Sequence, residues 1–395
     1  MRAWLRIFVY YLCGVFAAAQ LGKLAALAPL ISLDLHLGLA AMAALTSLLE
    51  VSGALLGGAA GRHLPRLGLQ RGLTVAMLCL ALGSAGAALA QGLPLAVLAR
   101  LVESLGYLIT VVAAPVLIAL AAPAGRQAAA MTLWGTFVPV GMAVGAAAYA
   151  YAAGLSDWRW AQGLSLLAGL ALGACLVGMR TVEPATLASA GRAAQQRTGA
   201  ALWALVAAFG AYVISEVGQL ALMPSLLKDA GLSVAEAGSW TALAALANVP
   251  AGVIAARLMR HDSLVGRVLV GFLLLTAALF PWAYQLGAPP LRLVVIAMLV
   301  NLVSGVFASL VFALLPRVAG SAERLSLASG RLTQFGASGA LIGPPLMGSI
   351  VEHAGWQAAG WTSLALSVVA AALAWRASAG QGWGSGAESK KGLAV

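Results

Sequence analysis

The chain has 395 residues, of which 62% are hydrophobic and 9% charged, and its mean hydropathy is +0.95. A soluble domain carries about 25% charged residues, and no globule of this size can hide so much apolar side chain from water, so a soluble enzyme or binding domain is excluded. The net charge of +11 does not signal nucleic acid, because the basic residues come in short groups between apolar runs and form no face or arm.

A bilayer span takes about 20 apolar residues. In chain order such runs predict helices over 7–32, 39–60, 70–90, 94–121, 127–153, 160–180, 201–227, 234–256, 266–286, 291–315, 325–351 and 357–376. The start, Met1 to Arg6 followed by an apolar stretch and Ala17-Ala-Ala-Gln20, has the form of a signal peptide. It is read as an uncleaved first helix, because the repeat described below needs it. The gaps carry polar or breaking residues: Asp34 and His36, Arg62 to Arg71, Pro94, Pro123 to Arg126, Asp157 and Pro289-Pro290. Residues 181–200 form the one long polar stretch before the tail and split the chain near its midpoint, so they read as a cytoplasmic linker. Residues 379–395 are rich in Gly and Ser and read as a disordered cytoplasmic tail.

Placing the N-terminus and every second loop in the cytoplasm tests the count. Of the basic residues outside spans, only Arg159, Lys228 and Arg292 then fall on the far side. The pattern predicts twelve spans with both termini inside. Cys13, Cys79 and Cys175 each lie in an apolar run and form no metal or redox spacing. No metal or cofactor is expected.

The chain repeats itself. Pro29, Asp34 and Leu37 recur 195 positions on as Pro224, Asp229 and Leu232. Ala60-Gly61-Arg62 recurs at the same offset as Ala255-Ala256-Arg257, and Trp158 recurs 198 positions on as Trp356. Since six is even, the two halves share one orientation and are parallel repeats about an axis along the membrane normal. The expectation is an all-α integral membrane protein with an N-terminal six-helix bundle over 1–180 and a C-terminal one over 201–378.

Six ionisable residues fall inside the spans: Lys23, Glu50, Arg100, Glu103, Glu216 and Arg331. Each costs about 2.5–3.5 kcal/mol or more at mid-bilayer, so each faces a cavity or a partner. Lys23 near the end of the first span and Glu50 within the second can pair, as a strut or as part of a substrate or proton site. Arg100, Glu103 and Tyr107 share one helical face. An arginine there offers a forked donor to a carboxylate-bearing solute, with Glu103 holding the fork in the empty state. Glu216, beside Ser215 and Gln219, has no basic residue local in sequence and is the leading candidate to carry a proton. Arg331 can snorkel toward the inner face or turn inward to Gln334. Asn248, Asn301 and Trp134 are further cavity candidates, with core or lipid-facing packing the alternative for Trp134. Gly53-x-x-x-Gly57 and Gly141-x-x-x-Gly145 are close-packing devices.

Three stretches resemble the major facilitator superfamily. After the second span that family has a G-x-x-x-D-R-x-G-R-R-R loop. Here Gly61-Arg62-His-Leu-Pro65-Arg66-Leu-Gly68-Leu-Gln-Arg71 keeps the glycines and arginines, with Pro65 at the acidic position. The resemblance implies a gating loop at Gly61, Arg62, Arg66, Gly68 and Arg71. The fourth span has Arg100-Leu-Val-Glu103-Ser104-Leu-Gly106, similar to R-x-x-Q-G-x-G, whose arginine lines the central path in the family. The fifth has Gly135-Thr-Phe-Val-Pro139-Val-Gly141, similar to the Gly-Pro motif of antiporters. Together with Thr333 to Pro345 it also resembles the cyanate and nitroimidazole permease branch. The resemblance implies a monomeric secondary transporter in a bacterial inner membrane working by alternating access, and three intramembrane cations beside three intramembrane acids point to a small organic anion moved with protons. Its partners would be the solute, protons and lipid. Drug efflux is the alternative. A transport-dead sensor or intramembrane enzyme is a third, but no nucleophile–base set or paired metal ligands appear.

Overall fold

The computed structural model describes residues 2–179, 192–259, 264–319 and 321–379. Among these residues there is no strand. The helices are α1 (Arg2–Asp34), α2 (Leu39–Leu67), α3 (Leu69–Ala88), α4 (Leu93–Ala121), α5 (Gln127–Trp134), α6 (Phe137–Leu155), α7 (Trp158–Gly178), α8 (Arg192–Asp229), α9 (Val234–Leu246), α10 (Ala251–Leu258), α11 (Val265–Ala283), α12 (Pro290–Ala319), α13 (Ala322–Ala354) and α14 (Trp356–Ala379). The expected tail from 380 and the linker residues 181–191 lie outside the described residues; 192–200 are the first turns of α8.

Among the described residues eleven stretches are long and apolar enough to cross a membrane. They correspond to every expected span except 325–351. That stretch lies in α13, which is 33 residues long but diluted by Ser, Gly, Thr333, Gln334 and the pair Pro344-Pro345. The protein is a multi-pass, all-helical membrane protein.

Two expected spans are interrupted. Span 127–153 breaks at Gly135-Thr136, between α5 and α6. Thr136 turns its hydroxyl back to the Leu133 carbonyl at 2.8 Å and meets the Tyr11 hydroxyl at 2.9 Å. Span 234–256 breaks over Ala247–Pro250, between α9 and α10. Pro250 has no N–H to continue the ladder, and the chain tightens into short turns there.

The chain divides into two compact units, 1–187 with 321–341, and 188–320 with 342–395. In the first, α4 is the central element, packed against α1, α2 and α3. Small residues set the closest crossings. A Cβ on Gly141 would meet the Val15 carbonyl of α1 at 2.5 Å, and one on Gly106 the Ala76 carbonyl of α3 at 2.8 Å. A Cβ on Gly57 of α2 would come 2.6 Å from the Gly330 carbonyl in the 321–341 segment. In the second unit α12 packs on α8, α9, α10 and α11, and α14 on α8 and α11.

The repeat is visible in the contacts of each unit. Trp158, the first residue of α7, donates its indole N–H to Asp34 at the end of α1, at 3.3 Å. Trp356, the first residue of α14, donates to Asp229 at the end of α8, at 3.1 Å. The first helix of each six is thus tied to the sixth by the same pair of side chains.

Candidate functional site

In the first unit the buried charges gather on one face of α4. A Cβ on Gly83 would meet the Ala99 carbonyl at 2.8 Å, so α3 approaches α4 closely enough for Ser84 to reach Glu103. Glu103 takes the Lys23 ammonium on Oε1 at 2.6 Å and the Arg100 guanidinium on Oε2 at 2.7 Å. Ser84 donates to Oε1 at 2.8 Å and accepts from Lys23 at 2.8 Å. Arg100 also donates from Nε to the Leu45 carbonyl and from Nη1 to the Gln20 carbonyl, leaving only Nη2 without a partner. A cavity of about 30 Å³ adjoins Lys23, Arg100, Glu103 and Gln162. Pockets for organic ligands run to about 300–1,000 Å³, so this space takes water-sized occupants.

The pairing of Lys23 with Glu50 is corrected. α1 and α2 follow one another in the chain, but α4 packs against both. Lys23 meets α4 at Glu103, while Glu50 comes within electrostatic reach of Tyr107, one turn on along α4, and of Arg100. Lys23 is 1% exposed and engaged by Glu103 and Ser84, so it offers nothing to a solute in this conformation. Glu50 is partly exposed.

In the second unit the buried acid is Glu216 on α8. Its Oε2 accepts from the Ser304 hydroxyl of α12 at 2.8 Å, and its Oε1 has no partner. The Tyr212 hydroxyl, one turn before Glu216, lies within electrostatic reach of Ser304 and Asn248. The break at Ala247–Pro250 is what lets Asn248 turn inward: its amide lies against Gly305, where a Cβ would meet it at 2.6 Å. Asn301, one turn before Ser304, donates Nδ2 to the Ala297 carbonyl at 2.9 Å. Ser84, Gln162, Tyr212 and Ser304 were missed from the sequence. Tyr212 and Ser304 were within reach, since they sit four and three residues from the chosen Glu216 and Asn301 on the same helical faces. Ser84 and Gln162 are lone polar residues in apolar helices and carry no such signal.

The family model of the Major Facilitator Superfamily matches residues 10–322 and 204–392. The chain belongs to this superfamily. Comparison with curated proteins gave no match. Among solved structures, the human organic anion transporter MFSD10 superposes with a TM-score of 0.75 at 16% identity, covering 95% of this chain and 100% of that one. The Escherichia coli fucose:proton symporter FucP gives 0.72 at 16% identity, covering 93% and 96%. The proton:xylose symporter XylE gives 0.72 at 15%, covering 94% and 95%.

The remaining candidates of this superfamily member are placed as follows. Trp134 is 0% exposed, stacks on Phe137 at 4.2 Å and sits against Gly14 of α1; it packs the core of the first unit and lines no open cavity. Gln334 of α13 packs against Gly57 and Gly58 of α2, in the first unit. Arg331, on the same α13 segment, is partly buried within electrostatic reach of Arg62. The expected gating loop is mostly helix, because Leu64 packs on Leu108 and Val112 and holds α2 regular through Leu67. The chain turns only at Gly68, whose φ of 89° suits glycine. Gly61 faces the Ser326 carbonyl, and Arg62, Arg66 and Arg71 are exposed. Arg66, Gly68 and Arg71 line a cavity of about 620 Å³ with Glu323.

Proposed function

We propose that this protein is a secondary active transporter that moves a small organic anion together with protons by alternating access. The observation that carries this reading is the placement of Glu50 beside Arg100. Glu50 forms no ion pair among the described residues and lies within electrostatic reach of Tyr107 and Arg100, so no fixed cation holds its carboxylate ionised. Arg100 keeps one donor, Nη2, unpartnered, and since the cavity beside it is water-sized, a solute reaches it in another conformation of the transport cycle. An ionised Glu50 competes with an anionic solute for that guanidinium; a protonated Glu50 does not. Solute and proton therefore favour each other, which is the thermodynamic content of symport. The proton symporters and the organic anion transporter named above share this fold, at identities that speak for the fold alone.

A thermal-shift screen of the purified protein against organic anions identifies the solute, since a ligand of the folded state raises its apparent stability. Uptake of that solute into proteoliposomes is then followed in sodium-free choline medium under an imposed pH gradient. Glu50→Gln is expected to retain counterflow and lose the response to the gradient. An unchanged response in that variant would sink the coupling.

A further inference from the structure

In each unit the buried acid lies between the first and fourth helices of its repeat. In the first unit these are α1 and α4, joined by Lys23 and Glu103; in the second they are α8 and α12, joined by Glu216 and Ser304. The offset of 198 carried by the tryptophans sets Glu103 opposite Asn301, and the offset of 195 along the first helix sets Gln20 opposite Ser215, the residue before Glu216. The first unit gives its carboxylate two built-in cations. The second gives none. Among the described residues the buried charged ones are Lys23, Arg100, Glu103 and Glu216, and only the last belongs to the second unit. The titratable groups facing Glu216 are the hydroxyls of Tyr212 and Tyr284.

Three oxygens in this place lack any donor: Glu216 Oε1, Gln219 Oε1 and Asn301 Oδ1. Their side chains are 5%, 2% and 1% exposed. Gln219 lies one turn beyond Glu216 on α8, and Asn301 one turn before Ser304 on α12. In an up-and-down bundle these helices run antiparallel, so the Glu216–Ser304 contact sets Gln219 and Asn301 at the same level. Asn301 commits its Nδ2 to Ala297, which turns Oδ1 away from that carbonyl. Gln219 Nε2 has only the Met223 sulfur, at 3.9 Å. Buried acceptors without donors are costly, and an isolated buried carboxylate more so.

We infer that Glu216, Gln219, Asn301 and Ser304 form a binding site for a dehydrated monovalent cation of sodium size. Hard oxygen ligands suit a hard cation. One positive charge neutralises the single carboxylate, as Lys23 and Arg100 do for Glu103. Two amide oxygens and a hydroxyl complete a set that no side-chain cation enters. The ion supplies to the second unit what side chains supply to the first.

The test is thermal unfolding of the purified full-length protein at pH 8 in sodium, potassium or choline chloride at equal ionic strength, with sodium-22 binding in parallel. Sodium is expected to raise the Tm saturably by at least about 3 °C over choline. Potassium should match choline. Asn301→Ala and Glu216→Gln should each abolish the sodium increment. One equivalent of sodium-22 should bind the wild-type protein and be displaced by lithium but not by potassium, which decides the matter even where a variant does not fold. Equal Tm values in the three salts, no bound sodium-22, or a sodium increment intact in both variants overturns the site. No transported solute enters these measurements, so their failure is distinct from failure of the proton-coupled reading.

Discussion

Trp158 donates its indole N–H to Asp34 across 124 residues of chain, and Trp356 does the same to Asp229 across 127. The residue after each tryptophan extends the likeness. Arg159 donates to the carbonyls of Ala88 and Ala90 just past α3, and Gln357 to that of Pro281 at the end of α11. Each repeat therefore closes its first, third and sixth helices on one two-residue clasp. Trp158→Phe and Trp356→Phe are each expected to cost about 0.5–1.5 kcal/mol, the net worth of one hydrogen bond. The two losses should add, because the clasps share no partner. Chemical unfolding of the two single variants and the double variant in detergent checks both statements.

Glu103→Gln should be far more damaging. It leaves Lys23 at 1% exposure without a counterion, and breaking a buried pair from one side costs about 3–5 kcal/mol. Adding Lys23→Met to that variant should recover much of the loss, since the orphaned ammonium goes with it. A double variant no more stable than Glu103→Gln alone would show that the cost lies elsewhere.

The Glu50 reading fixes the sign of a pH dependence. Anion binding to Arg100 needs Glu50 neutral, so solute affinity at symmetric pH should fall as pH rises through the titration of Glu50. In Glu50→Gln the profile should be flat over the same range. Equilibrium binding of the screened anion between pH 5 and 9 reads this directly.

The crossing of α2 with the 321–341 segment of α13 leaves no room for a side chain. Gly57→Ala places its methyl against the Gly330 carbonyl, and backbone on both sides cannot move aside. A loss of about 1–3 kcal/mol is expected. Gly154→Ala in α6 is the control: a Cβ there meets nothing within 4 Å, so helix propensity makes it neutral or stabilising by about 0.5–1 kcal/mol. Paired thermal melts compare the two.

Much of this fold is legible in the sequence because lipid imposes simple rules. Apolar runs mark the spans, and matched Pro, Asp and Trp positions mark the repeat. The Asp34–Trp158 clasp joins two residues the repeat had already singled out. The partner of Lys23 was not legible. Sequence order places α1 beside α2, and only the packed bundle shows α4 in contact with both, carrying Glu103 to the lysine. The break before Pro250 is equally silent to hydropathy, because the run stays apolar through it, yet it is what turns Asn248 onto Gly305 of α12. α13 shows the opposite limit. Its serines, glycines and prolines lower its hydropathy, so a helix of 33 residues reads as a weak span.

The distance along the chain between Lys23 and Glu103 bears on how the protein is made. The ribosome releases α1 with its lysine 80 residues before the carboxylate that balances it exists. Until α4 follows, that helix carries an uncompensated charge worth about 2.5–3.5 kcal/mol against partition into lipid. The apolar run of the first span outweighs that cost, so the helix enters lipid with its lysine still waiting for the fourth. Assembly of the amino-terminal bundle becomes the step that gives this lysine its counter-charge.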